Sequence, residues 1–182
     1  GAIDIATGGM FITPERARAM AFSDPVIVSN VSMAVREGNP KNIHSLEDVA
    51  AAPDLKVALT AGTNNETLCR LVGIRPEQVR AYYAVENMLQ AVQAGAVDGA
   101  VFAQQHIREW VGGQVAPDLE EAIPFAQPTY GGRELRPCAA FAFRPEDSDL
   151  RDAFNETLRN LLRTPEHRAL MRKYALDETL IP

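Results

Sequence analysis

Short apolar runs of strand length alternate with segments whose apolar residues recur every three or four positions, and glycine or proline marks many of the changeovers. A chain punctuated in this way lays strands side by side and covers the sheet with helices, so the fold class expected is α/β, with largely parallel sheets. Strands are expected at residues 3–7, 26–35, 56–60, 79–83, 97–102 and 138–143. Helices are expected at 14–20, 45–50, 65–72, 85–94, 104–110 and 149–163, and from 165 onward. Val85, Met88, Leu89 and Val92 form one stripe at helical spacing and are assigned to the core. Leu150, Phe154, Leu158, Leu161 and Leu162 form a second such face, on a helical cap. Residues 124–137, rich in proline and glycine, read as a loop.

Bulk properties exclude several classes of function. A net charge of -6 and a pI near 5.1 argue against nucleic acid, whose phosphates need clustered Lys and Arg. No run reaches the ~18 apolar residues of a membrane span. His44, His106 and His167 are far apart and none forms a metal-type pair with Cys or His, so no metal or other cofactor is expected. There is no Gly-x-Ser-x-Gly elbow, and the paired acids Glu120-Glu121 and Asp147 with Asp149 read as solvated loop or helix-start residues. No catalytic residue is assigned. Cys69 and Cys138 are too few for a disulfide framework and each is expected as a buried thiol. Gly1 leads straight into a strand-like run, a start that reads as cut from something longer.

The segment from Gly8 to Arg16 concentrates the chemistry. Thr13 is placed to cap a helix, Pro14 suits its first position, and Glu15 suits its positive end. Thr164-Pro165-Glu166-His167 repeats that cap without an arginine, so the cap itself is structural. Arg16 distinguishes the first copy: a cation in a first helical turn is disfavoured by the helix dipole, and a bound anion would satisfy both. Gly9 would let backbone approach a ligand, Phe11 lies on the same expected loop, and the guanidinium could hold a carboxylate through two parallel hydrogen bonds. The competing role for Arg16 is an ion pair with Glu15 or Asp24. A second anion-friendly helix start is Thr63-Asn64-Asn65-Glu66, with capping-box spacing after a strand and Gly62. An ordinary cap is the competing role there. Finally, Gly1–Ala6 is echoed at 95–100. Alone that is what chance produces; with a long run at 26–35 able to cross between lobes, it fits two hinged lobes.

Gly-Met-Phe-Ile-Thr-Pro-Glu-Arg-Ala-Arg-Ala-Met-Ala-Phe-Ser-Asp-Pro at residues 9–25 resembles the signature of amino-acid-type periplasmic solute-binding proteins (bacterial extracellular solute-binding proteins, family 3), and the likeness runs along the whole chain. Within that family, Met10-Phe11-Ile12-Thr13-Pro14-Glu15-Arg16 and the run Cys138-Ala139-Ala140-Phe141-Ala142-Phe143-Arg144 are most similar to ectoine- and hydroxyectoine-binding proteins of ABC importers. The resemblance implies a two-lobed periplasmic-binding-protein-like (type II) fold whose first lobe is incomplete, N-terminally truncated by about two strand-helix units. Lobe one would comprise residues 1–32 and 146–182, and lobe two 33–145. It implies a non-enzymatic binder that closes by a hinge around a small zwitterionic solute, either ectoine or an amino acid, with an ABC transporter permease in the membrane as partner. The location implied is periplasmic, or extracellular and membrane-associated. Arg16 would take the carboxylate, Phe11 would face a delocalised cation, and Gly9 with Thr63, Asn64 and Asn65 would complete the grip. Ala103 falls where basic-amino-acid binders carry an acid. The same fold also serves as the sensing module of receptors and histidine kinases, and some relatives resemble cyclohexadienyl dehydratases. With strands missing from lobe one, an open sheet edge is expected to favour aggregation or pairing with a partner.

Overall fold

Breakers set where each element stops, but pairing between distant segments decides which runs become strands. The computed structural model describes residues 2–111, 115–174 and 176–182. In chain order the elements are β1 (Ile5–Phe11), α1 (Pro14–Ala17), β2 (Ala21–Phe22), β3 (Ile27–Val28), β4 (Val31–Arg36), α2 (Leu46–Ala51), β5 (Val57–Thr60), α3 (Asn64–Leu71) and β6 (Val79–Tyr82). Then follow α4 (Val85–Gln93), β7 (Gly99–Ala103), α5 (Gln104–Val111), β8 (Leu119–Glu121), β9 (Thr129–Tyr130), β10 (Arg133–Glu134), β11 (Cys138–Phe143), α6 (Ser148–Leu161) and α7 (Pro165–Lys173). The chain divides into two compact units: Gly1–Ser29 with Pro137–Pro182, and Asn30–Arg136.

In unit 1, β11 lies at the centre of an antiparallel sheet, with β1 along one side and β2 and β3 along the other. Ala6 faces Ala142 but Met10 faces Ala140, so four positions of β1 are spent against two of β11. Gly9 takes up the irregularity at φ +63°, a conformation that costs glycine nothing. Phe154 of α6 packs edge-on against Phe141 and Phe143, at ring-centroid distances of 5.0 and 5.5 Å. Leu158 is also buried, whereas Leu150 and Leu161 are exposed, so the apolar face of α6 is narrower than its sequence spacing suggests. Thr164 caps α7 by accepting from the His167 amide, as expected.

Unit 2 holds a five-stranded sheet in the order β6-β5-β7-β4-β8. Helices α3 and α4 connect β5, β6 and β7, which makes β5 parallel to both neighbours. β4 enters directly from unit 1 and runs antiparallel to β7 and β8. The sheets are therefore mixed or antiparallel, not largely parallel. Alternation along β4 serves two apolar layers. Val31, Met33 and Val35 join Ile43, Leu46, Val49, Val57 and Leu59 on one face, while Ala34 joins Met88, Leu89, Val92 and Ile107 on the other. The α4 stripe is core, as expected. Where Gly99 crosses β4, an added Cβ would lie 2.3 Å from Met33 Sδ and 3.3 Å from the Ala34 carbonyl oxygen. Met33 is fully buried and has little room to retreat. Gly99→Ala should therefore lower stability by ~1–3 kcal/mol in a denaturant titration; an unchanged midpoint would show that the layer yields.

Several expectations need correction. The run at 26–35 is not one crossing strand: it breaks at Ser29–Asn30 into β3 of unit 1 and β4 of unit 2. The expected lobe limits move with it, from 32/33 to 29/30 and from 145/146 to 136/137, because β11 pairs with β1, β2 and β3. The expected loop at 124–137 contains the hairpin β9–β10, turned by Gly131 and Gly132 at positive φ. The short edge strand β8 was expected as solvated chain. The echo of 1–6 at 95–100, apart from Gly1, which lies outside the described residues, extends to the partner strands. Arg144 Nη1 donates to the Ile3 carbonyl (2.8 Å) and Nη2 to Asp4 Oδ1 (2.8 Å). At the matching positions of unit 2, Arg36 Nη1 donates to the Val97 carbonyl (3.2 Å) and Nη2 lies 3.8 Å from Asp98 Oδ1. Ile5 faces Phe143 just as Gly99 faces Val35, so each arginine stands one residue beyond an equivalent pair.

Candidate functional site

The predicted site residues divide between the units: Gly9, Phe11 and Arg16 belong to unit 1, and Thr63, Asn64, Asn65 and Ala103 to unit 2. In unit 1, Thr13 is extended and its Oγ1 accepts from the Arg16 amide at 3.2 Å, forming the expected cap. The helix that follows is a single turn, Pro14–Ala17, too short to carry a macrodipole, so the dipole argument for Arg16 does not hold. Its guanidinium is held instead by the end of β1: Nη1 donates to the Phe11 carbonyl at 2.9 Å. Gly9 and Phe11 lie on β1 and not on a loop, and Phe11 pairs with Ala139. Asp24, one of the acids weighed as a partner for Arg16, is joined to Arg159 at 2.6 Å, and its backbone amide donates to Asn155 Oδ1 at 2.8 Å.

In unit 2, the Thr63 segment and Ala103 follow or end the neighbouring parallel strands β5 and β7, at their carboxyl ends. That is where open α/β sheets present loops to ligands. Gly62 turns at φ +72°. The expected capping box does not form: Thr63 Oγ1 donates back to the Thr60 carbonyl (2.7 Å), and Glu66 Oε1 accepts from the Gly62 amide (2.9 Å). The loop thus meets its own carboxylate, and its side-chain polarity rests on Thr63 and Asn64, both half-buried. Asn65 is 5% exposed and its amide donates to the Val101 carbonyl at 3.2 Å, so it fastens α3 to β7 and is withdrawn from the grip. Ala103 is 8% exposed and supplies only a small apolar surface. Two depressions on unit 2, of about 560 and 460 Å³, are lined by neither Thr63, Asn64 nor Ala103.

Two features escaped the sequence reading. Phe102, which precedes Ala103 on β7, meets His106 edge-on, and both rings meet Trp110 at tilted angles, with ring centroids 4.8–5.9 Å apart; the spacing of four between His106 and Trp110 along α5 was visible. Glu121, read as solvated, is buried on β8. Asp147 of the other acid pair binds Arg144 Nε at 2.6 Å. Both cysteines are thiols; Cys138 is half-buried, while burial pushes the Cys69 thiol up to about 12. Among the described residues no group of His, Cys, Asp and Glu is arranged to hold a metal ion, and no helix is long and apolar enough to cross a membrane.

The family model for bacterial extracellular solute-binding proteins, family 3, matches residues 1–177. The probable amino-acid ABC transporter periplasmic-binding protein y4tE of Sinorhizobium fredii (strain NBRC 101917 / NGR234) is 33% identical over 171 residues, 94% of this chain. The chain spans only 56% of the length of that relative. Among solved structures, EhuB in complex with hydroxyectoine superposes with a TM-score of 0.82 at 28% identity, over 98% of this chain and 67% of EhuB. The ancestral amino acid-binding protein AncCDT-1, a precursor of cyclohexadienyl dehydratase, gives 0.74 at 25% identity, over 96% of this chain and 70% of its own.

Proposed function

The chain belongs to the bacterial extracellular solute-binding proteins, family 3, and on that footing we propose that it serves as the solute-capturing component of an ABC importer for a small carboxylate-bearing zwitterion. The observation that carries this reading is Arg16, fixed at the β1–α1 junction by the Thr13 hydroxyl and the Phe11 carbonyl. A guanidinium oriented before the solute arrives spends little entropy on a bidentate carboxylate bond. Phe11 offers a π face to a delocalised cation, and Thr63 and Asn64 add hydrogen bonds from unit 2. Gly9 admits a close backbone approach. Closing of the units around the solute completes capture, with a membrane permease as the receiving partner and a location outside the cytoplasmic membrane.

Solute class follows from Ala103. An alanine leaves a lysine or arginine side chain without a countercharge there, which favours a neutral amino acid or a cyclic amidine acid such as ectoine. The likeness to EhuB, solved with hydroxyectoine, supports the same class. We read the protein as a binder and not an enzyme, because Phe11, Arg16, Thr63, Asn64 and Ala103 include no side chain suited to proton transfer near neutral pH. Calorimetry on the complete protein tests this with ectoine, hydroxyectoine, L-glutamine and L-arginine, alongside a prephenate turnover assay. Binding of at least one of the first three at about micromolar Kd or tighter is expected, with arginine at least about tenfold weaker and prephenate unchanged. Absence of binding by all four, or turnover of prephenate, would overturn the reading.

A further inference from the structure

We infer that a hydrogen-bond relay centred on the buried carboxylate of Glu121 fastens the two segments through which the chain enters and leaves unit 2, and so governs how freely those segments move. Glu121 ends the edge strand β8 with its side chain 5% exposed. Its Oε1 accepts from Ser32 Oγ (3.0 Å) and Gln104 Nε2 (2.7 Å), and its Oε2 from Arg108 Nε (2.8 Å). Gln104 Oε1 accepts in turn from Asn30 Nδ2 at 3.3 Å, and the Gln104 amide donates to the Asn30 carbonyl at 2.9 Å. Asn30 Oδ1 accepts from Arg136 Nε (3.3 Å) and Nη2 (3.1 Å). Asn30 and Arg136 are the first and last residues of unit 2. Beside them, Gln127 binds both polar groups of Val31, accepting from its amide at 2.8 Å and donating to its carbonyl at 2.9 Å.

The relay has a direction. Arg136 offers only donors, so Asn30 must turn its oxygen toward it and its amide nitrogen toward Gln104. Gln104 must then present its oxygen to Asn30 and its nitrogen to Glu121, which in the charged state only accepts. Each amide is held in one orientation by a charge at either end, and such chains polarise and strengthen one another. Arg108 supplies the countercharge to the carboxylate and Ser32 a further hydrogen bond; the branch through Gln104 and Asn30 reaches the chain crossings as well. Glu121 is thus a positioning residue acting on Asn30 and Arg136 through Gln104.

Amide hydrogen exchange on the full chain without solute tests the relay. Glu121→Gln is a near-isosteric change that turns one of the two accepting oxygens into a donor, so that with Arg108 holding the remaining oxygen the new NH2 opposes Gln104 Nε2. In this variant, exchange at the Val31 and Gln104 amides is expected to quicken at least about tenfold, while the β5 amides stay within about twofold. Arg136→Gln, at the far end, should give the same local effect, and it carries the test if the first variant does not fold. The double variant should exchange no faster than either single one. Crossing amides within twofold of wild type, equal quickening across β5, or additive effects would each overturn the relay. Its consequence for solute affinity rests on the proposed function. Exchange is read without solute, so failure of the relay would appear there, whereas failure of the binding reading would appear in the calorimetric panel.

Discussion

Replacing Arg16 by alanine is expected to weaken solute capture at least about a hundredfold, the equivalent of losing ~3 kcal/mol or more of charge-assisted hydrogen bonding. The side chain leaves a junction held by Thr13 and Phe11, but the cap bond uses the Arg16 backbone amide and survives the substitution. The thermal midpoint should therefore move little while binding disappears, which separates a lost anchor from a damaged fold. Arg18→Ala, an exposed neighbour two residues on, should alter affinity by less than about twofold. Arg16→Lys should recover only part of the loss, because an ammonium cannot present two parallel donors to one carboxylate. Calorimetry with whichever solute the panel identifies measures all three. Wild-type affinity in Arg16→Ala would remove Arg16 from the site.

The largest effect on stability is expected at Gln78, a polar side chain only 1% exposed. Its Nε2 donates to the carbonyls of Val49 (2.8 Å), Ala52 (3.0 Å) and Leu55 (3.0 Å), so two hydrogens serve three acceptors. Its Oε1 accepts from both the amide and Nε of Arg75. These carbonyls belong to the end of α2 and the turn into β5; those of Val49 and Ala52 also accept from the Ala52 and Leu55 amides, at 3.3 and 3.0 Å, whereas for Leu55 the Gln78 side-chain amide is the donor. Gln78→Leu preserves volume but takes the donor from the Leu55 carbonyl and a second bond from those of Val49 and Ala52, at ~1–3 kcal/mol for each group left unsatisfied. A total loss of about 2–4 kcal/mol follows, a large share of the stability of an ordinary domain. Denaturant titration reads it directly; a loss below about 1 kcal/mol would mean that water or a shifted backbone replaces the amide.

Periodicity carried the helices and the long strands because those signals are local. The stripe of α4 and the run from Cys138 to Phe143 were legible for that reason, as was the Thr-Pro-Glu cap that occurs twice. What escaped depends on partners far along the chain. Gly8 and Gly9 look like a loop in isolation, yet pairing with β11 makes them part of a bulged strand. Leu119–Glu121 has two acids in three residues and becomes a strand only because β4 lies beside it. The same limit applied to the site. The position of Arg16 in sequence was informative, but its bond to the Phe11 carbonyl depended on where β1 ends. Asn65 carried the composition of a ligand residue and was claimed by a carbonyl of β7, 36 residues away. Sequence spacing identified which residues had suitable chemistry; burial decided which of them remained available.

The paired arginine clamps, Arg36 on Asp98 and Arg144 on Asp4, act as length gauges for the two strands that begin at the crossings. Each measures its strand from the distal end, so a residue inserted into β4 or β11 would be pushed back toward the crossing and not absorbed where the strand ends. A slip of one position would also turn every alternating side chain to the opposite face, and the anchored end makes such a slip cost an ion pair as well. The connecting segments thereby inherit whatever length variation the strands themselves refuse.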